Sequence, residues 1–222
     1  MASNVGEPNV NRGAAGRPRV FVVRTLPSPI EAALRERYDV ELNATDETYP
    51  TDRLIDAARH FDAIVPTVVD DVPAALFSAQ PLRTRIVANY GVGFDRIDLA
   101  AARAHNVVVT NTPGVLTEDT ADLALMLMLA AARRTSEGER QLRAGDWAGW
   151  RPTHLLGTRV SGATLGIVGF GRIGAAVARR AHRGFGMRVL FVNPSAPDAA
   201  AVDDARAERC ARPRGRPRRA AA

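Results

Sequence analysis

The chain has 222 residues, 46% of them apolar, one cysteine and a formal net charge of +6. This length and apolar share suit one large domain or two small ones with a real core, while the lone Cys210 excludes an internal disulfide framework and suits a reducing compartment. The longest apolar run, Ala124 to Ala132, is far too short to span a bilayer, and residues 1–18 lack the apolar segment of a secretory signal, so a cytoplasmic protein is expected.

In chain order, Arg19 to Arg24 reads as a buried strand and Ile30 to Tyr38 as a helix after Pro27 and Pro29. Val40-Glu41-Leu42 is a second strand. Thr51 to Arg59 is a second helix with Leu54, Ile55 and Ala58 on one face. Ala63-Ile64-Val65 is a third strand and Pro73 to Phe77 a helical turn opened by proline. Arg85 to Ala88, Leu99 to Ala104 and Val107 to Val109 continue the alternation as strand, helix and strand. Strands alternating with helices at this spacing predict parallel pairing and an α/β layer structure. Thr117 to Arg134 reads as one long helix, apolar nearly all round and so expected to be buried against more than one surface. A shorter helix, Glu137 to Arg143, leads into a segment containing Trp147 and Trp150.

The strand Ala163 to Val168 then runs into Gly169-Phe170-Gly171-Arg172-Ile173-Gly174, which opens a helix. In that setting the first glycine makes the tight turn, the second clears the approach to a phosphate, and the third lets helix and strand pack closely. The free amides and positive dipole end of the helix would hold a dinucleotide's pyrophosphate. An ordinary glycine-rich strand-to-helix turn is the plainer alternative. The next strand, Met187 to Val192, ends at Asn193-Pro194-Ser195. An acid about twenty residues past the glycines would bind the ribose hydroxyls of NAD, but nineteen residues after Gly174 stands the neutral Asn193. With Ser195 as a further donor this favours NADP over NAD, although no arginine follows immediately to clamp a 2′-phosphate.

Three ordered strings in this chain resemble one family. They are Asn89-Tyr90-Gly91-Val92-Gly93-Phe94-Asp95-Arg96-Ile97-Asp98, then Asn111 to Ala124 (NTPGVLTEDTADLA), then Gly166 to Gly174. Together they are similar to the D-isomer-specific 2-hydroxyacid dehydrogenases, and Val115-Leu116-Thr117 with the two tryptophans is most similar to glyoxylate and hydroxypyruvate reductases. The resemblance spans roughly residues 19 to 195. It implies a flavodoxin-like substrate domain and an incomplete Rossmann NAD(P)-binding domain. The expected organisation is a disordered leader at 1–18, a substrate domain at 19–116, interdomain helices at 117–161, a partial Rossmann domain at 162–195 and a disordered tail at 196–222. The resemblance also implies hydride transfer between NAD(P)H and a small 2-oxo or 2-hydroxy acid. Tyr90, Val92 and Gly93 would hold the substrate carboxylate, with the amides of Val92 and Gly93 as donors. Gly169 to Gly174, Asn193, Pro194 and Ser195 would hold the cofactor, and Thr120 would lie beside it unless it merely packs its methyl. No metal is implied, and the full-length family points to a homodimer.

The family's catalytic arginine, acid and histidine lie beyond the second Rossmann strand. None of His60, His105, His154 and His182 matches the histidine's place, so no catalytic residue is assigned and a truncated, inactive form is expected. From Asp203 onward the chain carries seven arginines against three acids, and all thirty basic residues of the protein are arginine. Such an Arg/Pro/Ala tail, expected to form neither strand nor helix, reads as the product of a shifted reading frame. With the body close to neutral, nucleic acid is not an expected partner, and neither is a membrane. The alternative is a non-catalytic NAD(P)-binding or interaction module on the same scaffold, whose basic tail would contact nucleic acid.

Overall fold

The computed structural model describes residues 16–210, so the leader up to residue 15 and the tail from residue 211 lie outside the described residues. The chain divides into two compact units between Pro113 and Gly114. That boundary falls three residues before the expected end of the substrate domain, and the interdomain helices belong to the second unit.

The first unit runs β1 (Arg19–Val22), α1 (Ser28–Arg37), β2 (Asp39–Glu41), α2 (Thr51–His60), β3 (Ala63–Val65), α3 (Ala74–Phe77), β4 (Ile86–Ala88), α4 (Leu99–Ala104) and β5 (Val108–Thr110). Its five strands are all parallel, in the order β2-β1-β3-β4-β5. This is the flavodoxin-like order that the resemblance implied. Three of the four helices have a visible cause. A proline stands in the first turn of α1, and the Asp98 carboxylate caps α4 by accepting from the Ala101 amide at 2.9 Å. Leu54, Ala57 and Ala58, three and four residues apart, bury one stripe of α2. One sheet face carries Phe21, Ile64 and Val87 in a cluster with α2, α3 and α4. The other carries Val20, Val22 and Val65 beside Leu34 of α1. Apolar strands buried from both faces are what a parallel sheet requires.

The second unit runs α5 (Thr117–Ala132), α6 (Thr135–Ala144), β6 (Thr164–Val168), α7 (Arg172–Phe185), β7 (Arg188–Val192), α8 (Ala199–Asp204) and β8 (Glu208–Arg209). The strands form a parallel sheet in the order β6-β7-β8. Leu165, Ile167, Val189 and Phe191 share one face, packed with residues of α5, α7 and α8. On the opposite face Thr164, Gly166 and Val168 are exposed, and among the described residues β6 has a strand partner on one side only.

Two expectations are corrected here. The segment from residue 196 is not structureless as far as residue 210. Asp198 caps α8 by accepting from the Ala200 amide at 3.0 Å, and β8 pairs with β7. The alternation of buried Ala205, exposed Arg206 and buried Ala207 leads into β8, so a third strand stands where only two were expected. The long helix α5 is also less enclosed than its composition suggests. It buries Ala121 and Leu125, while Leu123, Met126 and Leu127 stay exposed.

Candidate active site

In the first unit the chain leaves β4 at Asn89 and forms the loop Tyr90 to Gly93 at the carboxyl end of the sheet, where open α/β folds bind ligands. The loop's polar groups are tied back one by one. Thr112 donates its amide to the Gly91 carbonyl at 3.0 Å, Asn111 Nδ2 donates to the Val92 carbonyl at 2.9 Å, and Asn89 Nδ2 donates to the Gly93 carbonyl at 2.7 Å. The Tyr90 amide donates to Pro66, while those of Val92 and Gly93 have no acceptor among the described residues. Two adjacent free amides with their carbonyls drawn away make an anion-binding concavity. A Cβ at Gly91 would collide with Val68 Cγ1, so a side chain there requires the exposed Val68 to turn aside. The Asn89 Oδ1 is buried without a partner. Such an orphan costs about 1–3 kcal/mol, which marks the loop as shaped for something other than stability. Sequence reading assigned Tyr90, Val92 and Gly93; it missed Asn89 and Asn111 as positioning residues, although each opens one of the family-like strings.

In the second unit β6 ends at Gly169, whose φ of +98° only glycine adopts freely. A Cβ at Gly174 would collide with the Gly169 carbonyl oxygen, so the turn and α7 pack as the third glycine requires. A Cβ at Gly171 would meet nothing within 4 Å, leaving open space in front of the amides of Gly171 and Arg172. Those amides have no acceptor among the described residues, and no side chain caps α7. This is a cradle into which a pyrophosphate fits. Phe170 anchors the turn from below. Its ring is buried against Phe191 with centroids 4.4 Å apart, and its amide donates to Asn193 Oδ1 at 3.0 Å. The structure thereby joins Phe170 and Asn193, assigned separately from sequence, while Asn193 Nδ2 donates to the Ser195 carbonyl at 3.1 Å. Thr120 sits half-buried on α5.

The helix that carries this loop is held by charge. Glu118 of α5 pairs with Arg179 at 3.0 Å and Arg180 at 2.7 Å, and Asp122 pairs with Arg180 at 2.6 Å. The hydrogen bond from Arg180 and the nearby guanidinium charges hold the Glu118 carboxyl below the usual range. A groove of about 660 Å³ opens on the outer flank of α7, lined by Glu118, Arg172, Arg179 and Asp204 among others. Three of these four charges are already paired, since Asp204 pairs with Arg183 and Glu118 with Arg179. The four histidines all make local hydrogen bonds, His60 to the Asp56 carbonyl, His105 to the Ala101 carbonyl, His154 to Gln141 and His182 to the Met187 carbonyl. Among the described residues no cluster of His, Cys, Asp or Glu could hold a metal, and no helix is long and apolar enough to cross a membrane.

A flavodoxin-like parallel unit with a free-amide loop, followed by a parallel unit whose glycine turn opens a helix, defines a two-unit α/β protein. A family profile described as the catalytic domain of D-isomer specific 2-hydroxyacid dehydrogenases matches residues 20–211, and the chain belongs to that family. It is 49% identical over 177 residues to a glyoxylate reductase of Korarchaeum cryptofilum, covering 79% of this chain and 52% of the relative. A glyoxylate reductase of Thermococcus kodakarensis is 46% identical over 183 residues, covering 81% of this chain and 54% of the relative. A crystal structure of a 2-hydroxyacid dehydrogenase from Ketogulonicigenium vulgare is 34% identical, with a TM-score of 0.69, 85% of this chain and 58% of that one covered. The chain thus spans about half the length of the curated relatives it matches. The family match extends well past residue 195 and takes in α8 and β8.

Proposed function

We propose that the chain carries two binding halves of an oxidoreductase that moves a hydride between NAD(P)H and a small 2-oxo acid, with glyoxylate or hydroxypyruvate as the substrate class. The observation that carries this reading is the open cradle at Gly169 to Gly174, with unpaired amides at Gly171 and Arg172 and room in front of them. Bound NAD(P)H supplies the hydride. The chain's own residues bind and orient: the turn amides hold the pyrophosphate, Asn193 and Ser195 face the ribose, and the Val92 and Gly93 amides hold the substrate carboxylate. Tyr90 borders that carboxylate, and Thr120 and Pro194 line the cofactor's path in this reading.

Proton donation to the substrate oxygen requires a positioned acid such as histidine. The four histidines of this chain serve helix ends and connections instead, so these 222 residues by themselves bind but do not turn over. The reading extends to a cytoplasmic protein, supported by the single cysteine, and to pairing as a homodimer through α5, supported by its exposed Leu123, Met126 and Leu127. Titration calorimetry with NADH and NADPH, and a spectrophotometric assay with glyoxylate, test it. Binding of at least one dinucleotide without turnover is expected. Folded protein that binds neither overturns the assignment, and turnover by this chain alone overturns its catalytic half.

A further inference from the structure

Pairing of β8 with β7 brings a residue to the ribose end of the nucleotide unit that no local reading of the sequence places there. Arg209 Nη2 donates to the Asn193 carbonyl oxygen at 3.2 Å, across sixteen residues of chain. Asn193 itself is immobilised, with Oδ1 accepting from the Phe170 amide at 3.0 Å and Nδ2 donating to the Ser195 carbonyl at 3.1 Å and to its hydroxyl at 3.4 Å. A guanidinium has five N–H donors in a fixed fork. Apart from the one bond to Asn193, the Arg209 fork has no acceptor and no carboxylate partner among the described residues. The neighbouring arginine on β7 is spoken for, since Arg188 pairs with Glu208 at 2.6 Å. The acid nearest to Asn193 along the chain, Asp198, uses Oδ1 to cap α8.

The end of β7 therefore presents a neutral amide, a hydroxyl and an uncommitted guanidinium in the place where an NAD-binding fold presents an acid. A carboxylate there accepts the 2′- and 3′-hydroxyls of an unmodified ribose and repels a 2′-phosphate; an arginine reverses both preferences. Arginine also matches the phosphate's geometry with paired, charge-assisted hydrogen bonds. We propose that Arg209, with the Ser195 hydroxyl, forms a subsite for the 2′-phosphate, so that the preferred ligand is a 2′-phosphorylated dinucleotide. The inference rests on the dinucleotide reading above and adds to it the cation that sequence reading found missing after Asn193.

Calorimetric titration of the full chain with 2′,5′-ADP and 5′-ADP, then with NADPH and NADH, tests it. The 2′-phosphorylated member of each pair is expected to bind roughly tenfold tighter or more. Arg209→Gln brings each ratio towards one by weakening the 2′-phosphorylated member, and an unchanged circular dichroism spectrum shows that the variant is folded. Asn193→Asp inverts the preference by restoring the repelling charge. Equal affinities in the parent chain, or equal weakening of NADPH and NADH by Arg209→Gln, overturns the inference and leaves the dinucleotide reading standing. Failure of the parent chain to bind either dinucleotide overturns that reading, and the subsite with it.

Discussion

β1 and β6 open the two units with similar material, a short apolar strand running into a ligand-side loop, yet their last residues have opposite fates. Val22 is fully buried, whereas Val168 is 95% exposed. The difference lies in their neighbours. β1 is hydrogen-bonded on both sides, to β2 and β3, and both its faces contribute to cores. Among the described residues β6 pairs only with β7, and only its Leu165 and Ile167 face is covered. An apolar strand is thus buried by its place in the strand order, and its composition alone does not tell which place it has.

The sharpest way to break this comparison is to cut side chains at the two places. Phe21→Ala, in the core of the first unit, should lower stability by about 3–5 kcal/mol. Val168→Thr should change it by less than about 0.5 kcal/mol. Scanning calorimetry measures both, and a large loss at Val168 would mean that β6 has a covering partner. Next in size is a contrast inside the glycine turn. Gly174→Ala should cost about 1–3 kcal/mol by overpacking against the Gly169 carbonyl and should abolish dinucleotide binding. Gly171→Ala, with open space around its Cβ, should leave the melting temperature in place and lower dinucleotide affinity at least tenfold by filling the cradle.

The smallest expected effect is electrostatic. The folded Glu118 carboxyl is held below its ordinary value, chiefly by the Arg180 hydrogen bond. A lowered carboxylate adds stability that is fully present above its unfolded pKa and is lost as pH falls through the folded one. Melting temperatures measured down the acid limb should therefore fall less steeply for Glu118→Gln than for the parent chain. The difference should shrink in high salt, because the pair is exposed. An unchanged acid limb would show that the clasp between α5 and α7 contributes nothing.

The strands and helices from Arg19 to Val192 were readable from periodicity, with ends displaced by one or two residues, because the buried positions of the strands are Val, Ile and Phe and the helices alternate with them. α8 and β8 were not, because neither buries a residue of its own and the buried positions between them are Ala205 and Ala207, in an arginine-rich run where alanine carries little apolar signal. The glycine turn was legible because each glycine answers a local steric demand. The tying roles of Asn89 and Asn111 were not, since their partners are carbonyls of a loop whose path no periodicity describes. Arg209 escaped for a related reason: it meets Asn193 through β7–β8 pairing.

The one-sided pairing of β6 fixes where its peptide groups point. The Gly169 amide donates to Val192, and the Ala163 carbonyl accepts from Arg188, so the odd-numbered residues of this stretch turn towards β7. Alternation along a strand then turns the N–H and C=O of Thr164, Gly166 and Val168 outward. Deuterium should consequently replace the amide protons of this strand with a period of two, quickly at the even positions and slowly at the odd ones.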